Sequence, residues 1–260
     1  MEEIHITLAA AADDRWARVP FVLPASISLH SAGDLRRDSP NRLGYYAERG
    51  VAPQDVCVVR QMHSRHVVVI DDALLETAPR TATGERLVGE AGGMLTSRND
   101  VVLAVTVADC MPIWLYDEAS GARGLLHSGW RGTGILQEAL ATMCSTYGTA
   151  PERLIVALGP CISVDAYEVD RERAEQFAAE WGSDAVRWTG DRPFLDLRSV
   201  NVSICRRAGV DVVSVIDHCT VGDTRFGSFR REGAQHYTLM LALHGNGRVL
   251  ETLHETGDEQ

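Results

Sequence analysis

The sequence lacks the features that mark several broad classes of protein. No apolar run approaches the roughly 20 residues that a helix needs to cross a bilayer, so no membrane partner is expected. The six cysteines are scattered and form no CxxC pair, which favours a reducing compartment over a disulfide framework. Glu2 and Glu3 stand where a secretory signal needs positive charge. These absences predict a cytoplasmic protein.

Net positive charge is also absent. The formal net charge is −11 and the pI is near 5.3, which argues against a nucleic-acid polymer as the main partner. A small anion stays compatible with this charge, because a local cluster of arginines can outweigh the global field. The expected state of the protein is a monomer or a homodimer.

The chain does contain enough apolar sequence for a sizeable core. Hydrophobic residues make up 45% and charged residues 23% of the sequence, as is usual for a globular protein. No internal repeat, low-complexity tract or Pro/Gly/Ser-rich linker divides the 260 residues. We therefore predict a single domain over residues 1–260.

Apolar runs and capping residues predict a mixture of strands and helices. Strands are predicted at 56–60, 67–70, 101–107, 113–116, 124–126, 154–158, 212–216 and 237–243. Helices are predicted at 133–147, 171–181 and 197–208, with Thr133 and Asp196 as N-caps and Gly209 as a stop. The first fifty residues predict short strands and loops. A mixed α/β or α+β layered domain follows from this order of elements.

Three short segments each place a potential metal ligand near the end of an apolar run. They contain His63, Cys110 and His127. Because a strand delivers its last side chain to a fixed place, three strand ends can converge on one point. One cysteine and two histidines supply three protein ligands and leave a fourth position open, which distinguishes a catalytic zinc site from a closed structural one.

Each of these residues also has a simpler interpretation. Cys110 alone is typical of a small core residue, but Asp109 is an awkward neighbour for a purely apolar site. His127 alone is compatible with a half-buried histidine. His63 and His66 would point to opposite faces of a strand, so at most one of them is expected to bind metal. The position of His63 beside Gln61 favours His63.

The segment after His127 has the composition of an anion-binding turn. Its glycines let backbone amides approach a ligand, and the start of a helix attracts negative charge. Arg131 adds a fork that suits phosphate or carboxylate. The predicted anion-binding residues here are Gly129, Arg131, Gly132 and Thr133. Arg230 is open to two interpretations, an anion ligand or part of a solvated basic pair, and Cys161 is either near the site or an inert core thiol.

Several segments together resemble the YfiH family, also called the laccase-domain or polyphenol-oxidoreductase family. The matching segments are QMHS at 61–64, TVADCMPIWLYD at 106–117, HSGWRGT at 127–133, LGPCIS at 158–163, YEV at 167–169, HCT at 218–220 and FGSFRREG at 226–233. An early Asn-Arg pair at 41–42 also matches. These segments span nearly the whole chain in the order of the family, and ADCxP followed by HxGWRG is a specific combination.

The resemblance implies a fold, a metal and an activity. The implied fold is a layered α-β-β-α domain with mixed sheets, like that of some bacterial toxin cysteine hydrolases. The implied cofactor is zinc on His63, Cys110 and His127. The implied activity is phosphorolysis of adenosine, inosine, guanosine and methylthioadenosine, with adenosine deamination at the same site. Catalysis would then depend on these three residues and on Arg131, which would hold the phosphate.

The chain departs from the family pattern at a few positions. Gly92 stands where the family usually has an acidic residue. The residues after the Arg230-Arg231 pair and those just before Tyr167 also differ from the family pattern. These departures leave the three implied metal ligands in place and bear on the substrate range.

Three other functions are compatible with parts of the sequence. A copper-dependent phenol oxidase is suggested by the older family name, but reduction of oxygen calls for several coppers, and the nine histidines include no HxH pair. An amide hydrolase that edits peptidoglycan precursors would use Cys110 as nucleophile and His127 as base. A catalytically silent, metal-stabilised scaffold is the third.

Overall fold

Runs of buried apolar residues form two sheets that pack face to face. The computed structural model describes residues 1–9, 14–19 and 24–242. Its strands are β1 (Glu2–Ile6), β2 (Trp16–Arg18), β3 (Ala25–Ser28), β4 (Val56–Gln61), β5 (Val67–Val69), β6 (Arg86–Ala91), β7 (Gly93–Thr96), β8 (Val102–Val107), β9 (Met111–Asp117), β10 (Ala122–Ser128), β11 (Ile155–Leu158), β12 (Val186–Thr189), β13 (Arg192–Leu195), β14 (Val212–Ile216) and β15 (Thr238–Ala242).

Six α-helices accompany these strands within the described residues. They are α1 (Asn41–Glu48), α2 (Asp72–Thr77), α3 (Ile135–Tyr147), α4 (Arg171–Trp181), α5 (Leu197–Ala208) and α6 (Phe229–Glu232). None of the described helices has both the length and the apolar character needed to cross a bilayer.

Both large sheets are mixed. One has seven strands in the order β1-β14-β11-β9-β10-β7-β5, and the other has six in the order β2-β3-β15-β8-β4-β6. Strands β9, β10 and β7 pair antiparallel, whereas β1, β14 and β11 pair parallel. A separate hairpin joins β12 to β13. The predicted combination of parallel and antiparallel pairing in one layered fold is thus confirmed.

Three apolar clusters separate four layers, in the order helices, sheet, sheet, helix. The cluster between the two sheets includes Met94, Trp114, Val105 and Met240, and the Trp114 indole donates a hydrogen bond to the Leu241 carbonyl across it, at 3.1 Å. The outer face of the seven-stranded sheet packs against α3, α4 and α5, and the outer face of the six-stranded sheet packs against α1. The α-β-β-α fold implied by the resemblance is therefore confirmed.

The helices with clear caps have the bounds that the sequence predicts. Helices α4 and α5 span 171–181 and 197–208, and the Asp196 carboxylate accepts a hydrogen bond from the Ser199 amide at 2.9 Å. Gly209 ends α5 in the left-handed conformation, with φ of 82°. The prediction that Thr133 caps α3 is wrong, because the N-cap is Gly134, with φ of 103°.

Several strand predictions need small corrections. Strand β9 begins at Met111 and runs through Pro112, rather than starting after it. Strand β10 extends to Ser128, so His127 lies inside the strand and does not open the following turn. Strands β5, β8 and β11 are each one residue shorter than predicted, and the last residue of the predicted strand 237–243 lies outside the described residues. Helix α1 was not predicted at all.

Candidate metal centre

His63, Cys110 and His127 converge at one point. One potential ligand atom from each of them lies within 4.8 Å of the others. The two imidazole rings have centroids 4.8 Å apart and are nearly perpendicular, with an angle of 80° between their planes. His66 is exposed and does not belong to the group. The structure therefore brings together the three side chains that the sequence proposes as metal ligands.

Two of the three candidate ligands lie where the chain passes from one sheet to the other, and the third lies in a strand. His63 follows β4 of the six-stranded sheet and precedes β5 of the seven-stranded sheet. Cys110 likewise lies on the connection from β8 in the six-stranded sheet to β9 in the seven-stranded one. His127 is the next-to-last residue of β10, opposite Pro112 of β9. The crossings from β4 to β5 and from β8 to β9 thus each carry a candidate ligand.

The backbone at two of these positions has a conformation that non-glycine residues rarely adopt. His63 has φ of 52° and Asp109 has φ of 79°, in the left-handed region. Such conformations cost free energy and persist only where the surroundings hold them, which is common at functional sites. Here they turn the His63 and Cys110 side chains towards His127.

Asp109 holds the Cys110 loop in place. Its carboxylate accepts hydrogen bonds from the Thr220 hydroxyl and from the backbone amide of Arg230, both at 2.6 Å. Its backbone carbonyl accepts from the Ile162 amide at 2.9 Å. Through its carboxylate and its carbonyl, Asp109 therefore ties three separate segments to the loop that carries Cys110.

Gln61 fixes the segment that leads to His63. Its side-chain amide donates to the Thr106 carbonyl at 2.8 Å and accepts from the Thr106 amide at 2.9 Å. The Thr106 hydroxyl in turn accepts from the buried Arg42 guanidinium at 2.7 Å. This network connects α1 and β8 to the turn that presents His63.

Burial favours the neutral forms of His127 and Cys110. Burial lowers the pKa of His127 to about 3, with His63 adding to the effect, so His127 stays neutral as a metal ligand must. Its Nδ1 atom is buried and has no hydrogen-bond partner among the described residues. Burial raises the pKa of the Cys110 thiol to about 12, and the charge of Asp109 raises it further. A thiolate at this place needs a positive ion to hold it ionised.

Gly129 packs directly against the Cys110 sulfur. A Cβ atom at Gly129 would lie 2.5 Å from Cys110 Sγ, a distance that would force the sulfur to move. Thr133 is fully buried, and its hydroxyl donates to the Gly129 carbonyl at 2.8 Å. A Cβ atom at Gly132 would lie 3.3 Å from the His127 carbonyl. The turn at 129–133 is thus packed around the three candidate ligands.

A cleft of about 570 Å³ opens onto the candidate ligands. Six arginines line it, namely Arg36, Arg37, Arg42, Arg60, Arg173 and Arg230. The sequence contains no lysine, so all 25 basic residues are arginines, which stay charged at any physiological pH. This acidic protein thus has a local group of arginines at the cleft. Nothing in the local sequence marks Arg36, Arg37, Arg60 and Arg173 as members of it, because they come from separate segments.

Arg230 differs from the other arginines of the cleft. The other five each pair with a nearby carboxylate, as Arg42 does with Glu85 at 2.6 Å. The Arg230 guanidinium donates only to backbone carbonyls, those of Glu168 at 2.9 Å and Ala166 at 3.5 Å. Among the described residues no carboxylate forms an ion pair with it, so the Arg230 guanidinium can attract an anion into the cleft.

Arg131 does not line the cleft. Its guanidinium lies 5.1 Å from the centroid of the Trp130 ring, which also carries Arg173 at 4.7 Å. Burial lowers the pKa of His63, and the charge of Arg131 lowers it further, so Arg131 lies near His63. The catalytic and anion-binding roles predicted for Arg131 therefore stay proposals. Gly129, Gly132 and Thr133 do not line the cleft either, and their predicted anion-binding role also stays a proposal.

Aromatic side chains form part of the cleft wall. They are Tyr167, Phe229 and Tyr237. Phe229 is 57% exposed, and the amide of the next residue, Arg230, is held by Asp109. Burial raises the pKa of the Tyr167 phenol, and a negative charge on Cys110 would raise it further because the two side chains lie close together. Rigid aromatic rings beside an arginine suit a ligand with a flat ring and an anionic group.

Gly92 lies where the segments that carry Ser64 and Ile135 leave no room for a side chain. A Cβ atom here would lie 2.1 Å from the Ser64 carbonyl oxygen and 2.6 Å from Cδ1 of Ile135. The Gly92 amide donates to the His66 carbonyl at 2.9 Å, and its carbonyl accepts from the His127 amide at 2.8 Å. A glycine at this position therefore allows the turn that carries His63 to pack closely against the segment that is hydrogen-bonded to β10.

We expect the substitution Gly92→Asp to destabilise the protein by about 3 kcal/mol, because the Ser64 carbonyl must move to admit the new side chain. Urea unfolding measures the change in free energy. The matched control is Gly222→Asp, where the nearest atom to a new Cβ is 3.9 Å away and a change within about 0.5 kcal/mol is expected. Equal unfolding midpoints for the two variants would show that position 92 has room for a carboxylate.

Comparison with known proteins gives both family and fold relatives. Residues 25–243 match the family described as "Multi-copper polyphenol oxidoreductase laccase". The purine nucleoside phosphorylase of Deinococcus radiodurans is 33% identical over 208 residues, which cover 78% of this chain and 77% of that protein. Adenosine deaminase RL5 of an unknown prokaryotic organism is 32% identical over 211 residues, covering 77% of this chain and 79% of that protein. The crystal structure of the Bacillus licheniformis hypothetical protein YfiH has a TM-score of 0.76 at 20% identity, and covers 90% of this chain and 98% of that one.

Proposed function

Given that this chain belongs to the YfiH or laccase-domain family, we propose that it is a zinc-dependent purine nucleoside phosphorylase that also deaminates adenosine. The observation that carries the proposal is the convergence of His63, Cys110 and His127 at a cleft that also contains Arg230, which forms no ion pair with a described carboxylate. The relatives named purine nucleoside phosphorylase and adenosine deaminase, each at least 32% identical, support the same two activities. Expected substrates are adenosine, inosine, guanosine and methylthioadenosine.

The donor set of the site suits zinc. One thiolate and two neutral imidazoles are ligands that zinc prefers, and three of them leave a position for a reactant. Zinc held by His63, Cys110 and His127 would supply a Lewis acid and would lower the pKa of a water molecule to about 7. The unpartnered Nδ1 atom of buried His127 supports a cation here.

The cleft can bind both substrates of a phosphorolysis. Its volume of about 570 Å³ lies in the range of small-molecule sites, and a nucleoside with phosphate fits that range. Arg230 would hold the phosphate through its free charge, and Arg173, which lies on the Trp130 ring, would support it. Phe229 would provide a face for the purine. Held together, phosphate and nucleoside react without the entropy cost of a bimolecular encounter.

The other readings of the site have weaker support. A multi-copper oxidase needs several copper ions, but within the described residues only the one group of His63, Cys110 and His127 has the spacing of a metal site. A metal-free amide hydrolase needs a reactive Cys110 and a basic His127. A thiol with a pKa of about 12 and an imidazole with a pKa of about 3 suit neither role near pH 7.

Purified protein loaded with zinc tests the proposal directly. Incubation with adenosine and phosphate is expected to give adenine and ribose 1-phosphate, and incubation without phosphate is expected to give inosine. Chromatography separates these products, and elemental analysis is expected to find about one zinc per chain and no copper. A metal-free protein that forms neither product, cleaves a muramyl peptide and loses that activity after thiol alkylation would support the amide hydrolase instead.

A further inference from the structure

The departing purine needs a hydrogen-bond donor, and apart from its arginines the cleft offers few. In phosphorolysis the bond between the anomeric carbon and the purine nitrogen breaks, and its electron pair goes to the purine. Asp109 is the one carboxyl group on the described cleft wall, and both its oxygens already accept hydrogen bonds. His63, Cys110 and His127 form the candidate metal centre. Gln61 and Thr106 on the wall bond to each other, and the Thr106 hydroxyl also accepts from Arg42. The phenols on the wall are therefore the main remaining uncharged donors.

Tyr167 is held rigidly at the cleft with its hydroxyl free. Its amide donates to the Ser163 carbonyl at 3.0 Å, and its carbonyl accepts from the Leu195 amide at 3.1 Å. The Arg230 guanidinium lies 5.7 Å from the centroid of its ring. No residue in the described parts of the chain makes a hydrogen bond to the Tyr167 hydroxyl. A partly buried phenol without a described protein partner has a donor available for a ligand in the cleft.

The place of Tyr167 in the cleft suits a role in the reaction. It lies close to Cys110 and on the same loop whose carbonyls hold Arg230, the proposed phosphate ligand. Tyr237, in contrast, is bound through its backbone to residues 34 and 35 and packs against Arg36. The phenol of Tyr167 is thus the one beside both the candidate metal centre and the phosphate ligand.

We propose that Tyr167 is a catalytic residue whose hydroxyl donates a hydrogen bond to the purine as it leaves, an inference that depends on the proposed phosphorolysis. The bond between the anomeric carbon and a phosphate oxygen forms as the bond to the purine breaks. Hydrogen phosphate loses one proton on forming the ester, and the purine gains one, so the reaction balances. Tyr167 keeps its own proton and stabilises the negative charge that develops on the purine ring.

The substitution Tyr167→Phe tests this role, because it removes one oxygen atom and keeps the ring. We expect kcat for adenosine phosphorolysis to fall about 100-fold with KM little changed. With 7-methylguanosine, whose base leaves without gaining negative charge, kcat is expected to stay within about twofold of the wild-type value. If the wild-type protein does not accept 7-methylguanosine, 6-chloropurine riboside, which has a better leaving group, should show a much smaller decrease than adenosine.

Controls separate this inference from the proposed function. Zinc content and the urea midpoint of Tyr167→Phe should match the wild type, and Tyr116→Phe, which lies on β9 outside the cleft wall, should keep full activity. If the wild type turns over nucleosides and Tyr167→Phe slows both substrates equally or neither, the role of Tyr167 is wrong. If the zinc-loaded wild type turns over no nucleoside with phosphate, the proposed function itself fails.

Discussion

Cys110→Ser is expected to lose the bound metal and nearly all activity. Serine keeps its proton under conditions where a metal-bound cysteine does not, so the variant offers only two good ligands, His63 and His127. The metal affinity and the activity should each fall by more than the roughly 100-fold that is typical when a residue outside the ligand shell is replaced. Elemental analysis of the purified variant measures the metal, and phosphorolysis and deamination of adenosine measure the activity.

The control for this substitution is Cys144→Ser. Cys144 is an exposed cysteine on α3, and its replacement should change neither metal content nor rate. Both variants should unfold at similar urea concentrations when metal-free, since the Cys110 thiol is protonated in the absence of a cation. Full zinc content together with wild-type activity in Cys110→Ser would contradict the ligand set.

Gly129→Ala is expected to abolish metal binding while the protein stays folded. The new Cβ atom would lie 2.5 Å from Cys110 Sγ, and rotation of the cysteine side chain is the easiest way to relieve that contact. This rotation carries the sulfur away from the two histidines. We therefore expect the zinc affinity to fall at least 100-fold, and the stability of the metal-free protein to change by less than about 1 kcal/mol.

Two other glycines give a graded comparison for Gly129→Ala. At Gly132 a Cβ atom would be 3.3 Å from the nearest atom, and at Gly222 it would be 3.9 Å away. Zinc affinity should be slightly reduced in Gly132→Ala and unchanged in Gly222→Ala. An order of effects that does not follow these distances would show that the turn at 129–133 does not constrain the sulfur.

Local signals account for the parts of the fold that the sequence predicts well. Asp196 and Gly209 define α5 because the cap and the stop act within one turn of the helix. The prediction failed at Thr133, where the hydroxyl bonds to the carbonyl of Gly129 four residues earlier and leaves the capping position to Gly134. Helix α1 was missed because its buried face includes the charged Arg42, whose partner Glu85 is 43 residues away.

Part of the candidate site is likewise indicated by local sequence, and the rest appears only in the folded chain. Short motifs show the potential ligands His63, Cys110 and His127, because each stands beside residues that shape a turn. The arginines of the cleft come from separate segments, and only the folded chain shows that Arg230 alone among them has no carboxylate partner. The contact of Gly92 with the Ser64 carbonyl likewise depends on packing between β7 and a distant turn, which no local pattern indicates.

The position of two candidate ligands on the crossings between the sheets has a consequence for assembly of the protein. The crossing from β4 to β5 carries His63, and the crossing from β8 to β9 carries Cys110. If one sheet slid over the other during folding, the sulfur and the imidazoles would separate. A misassembled chain would then be unable to capture the ion, so metal uptake would selectively trap correctly folded molecules.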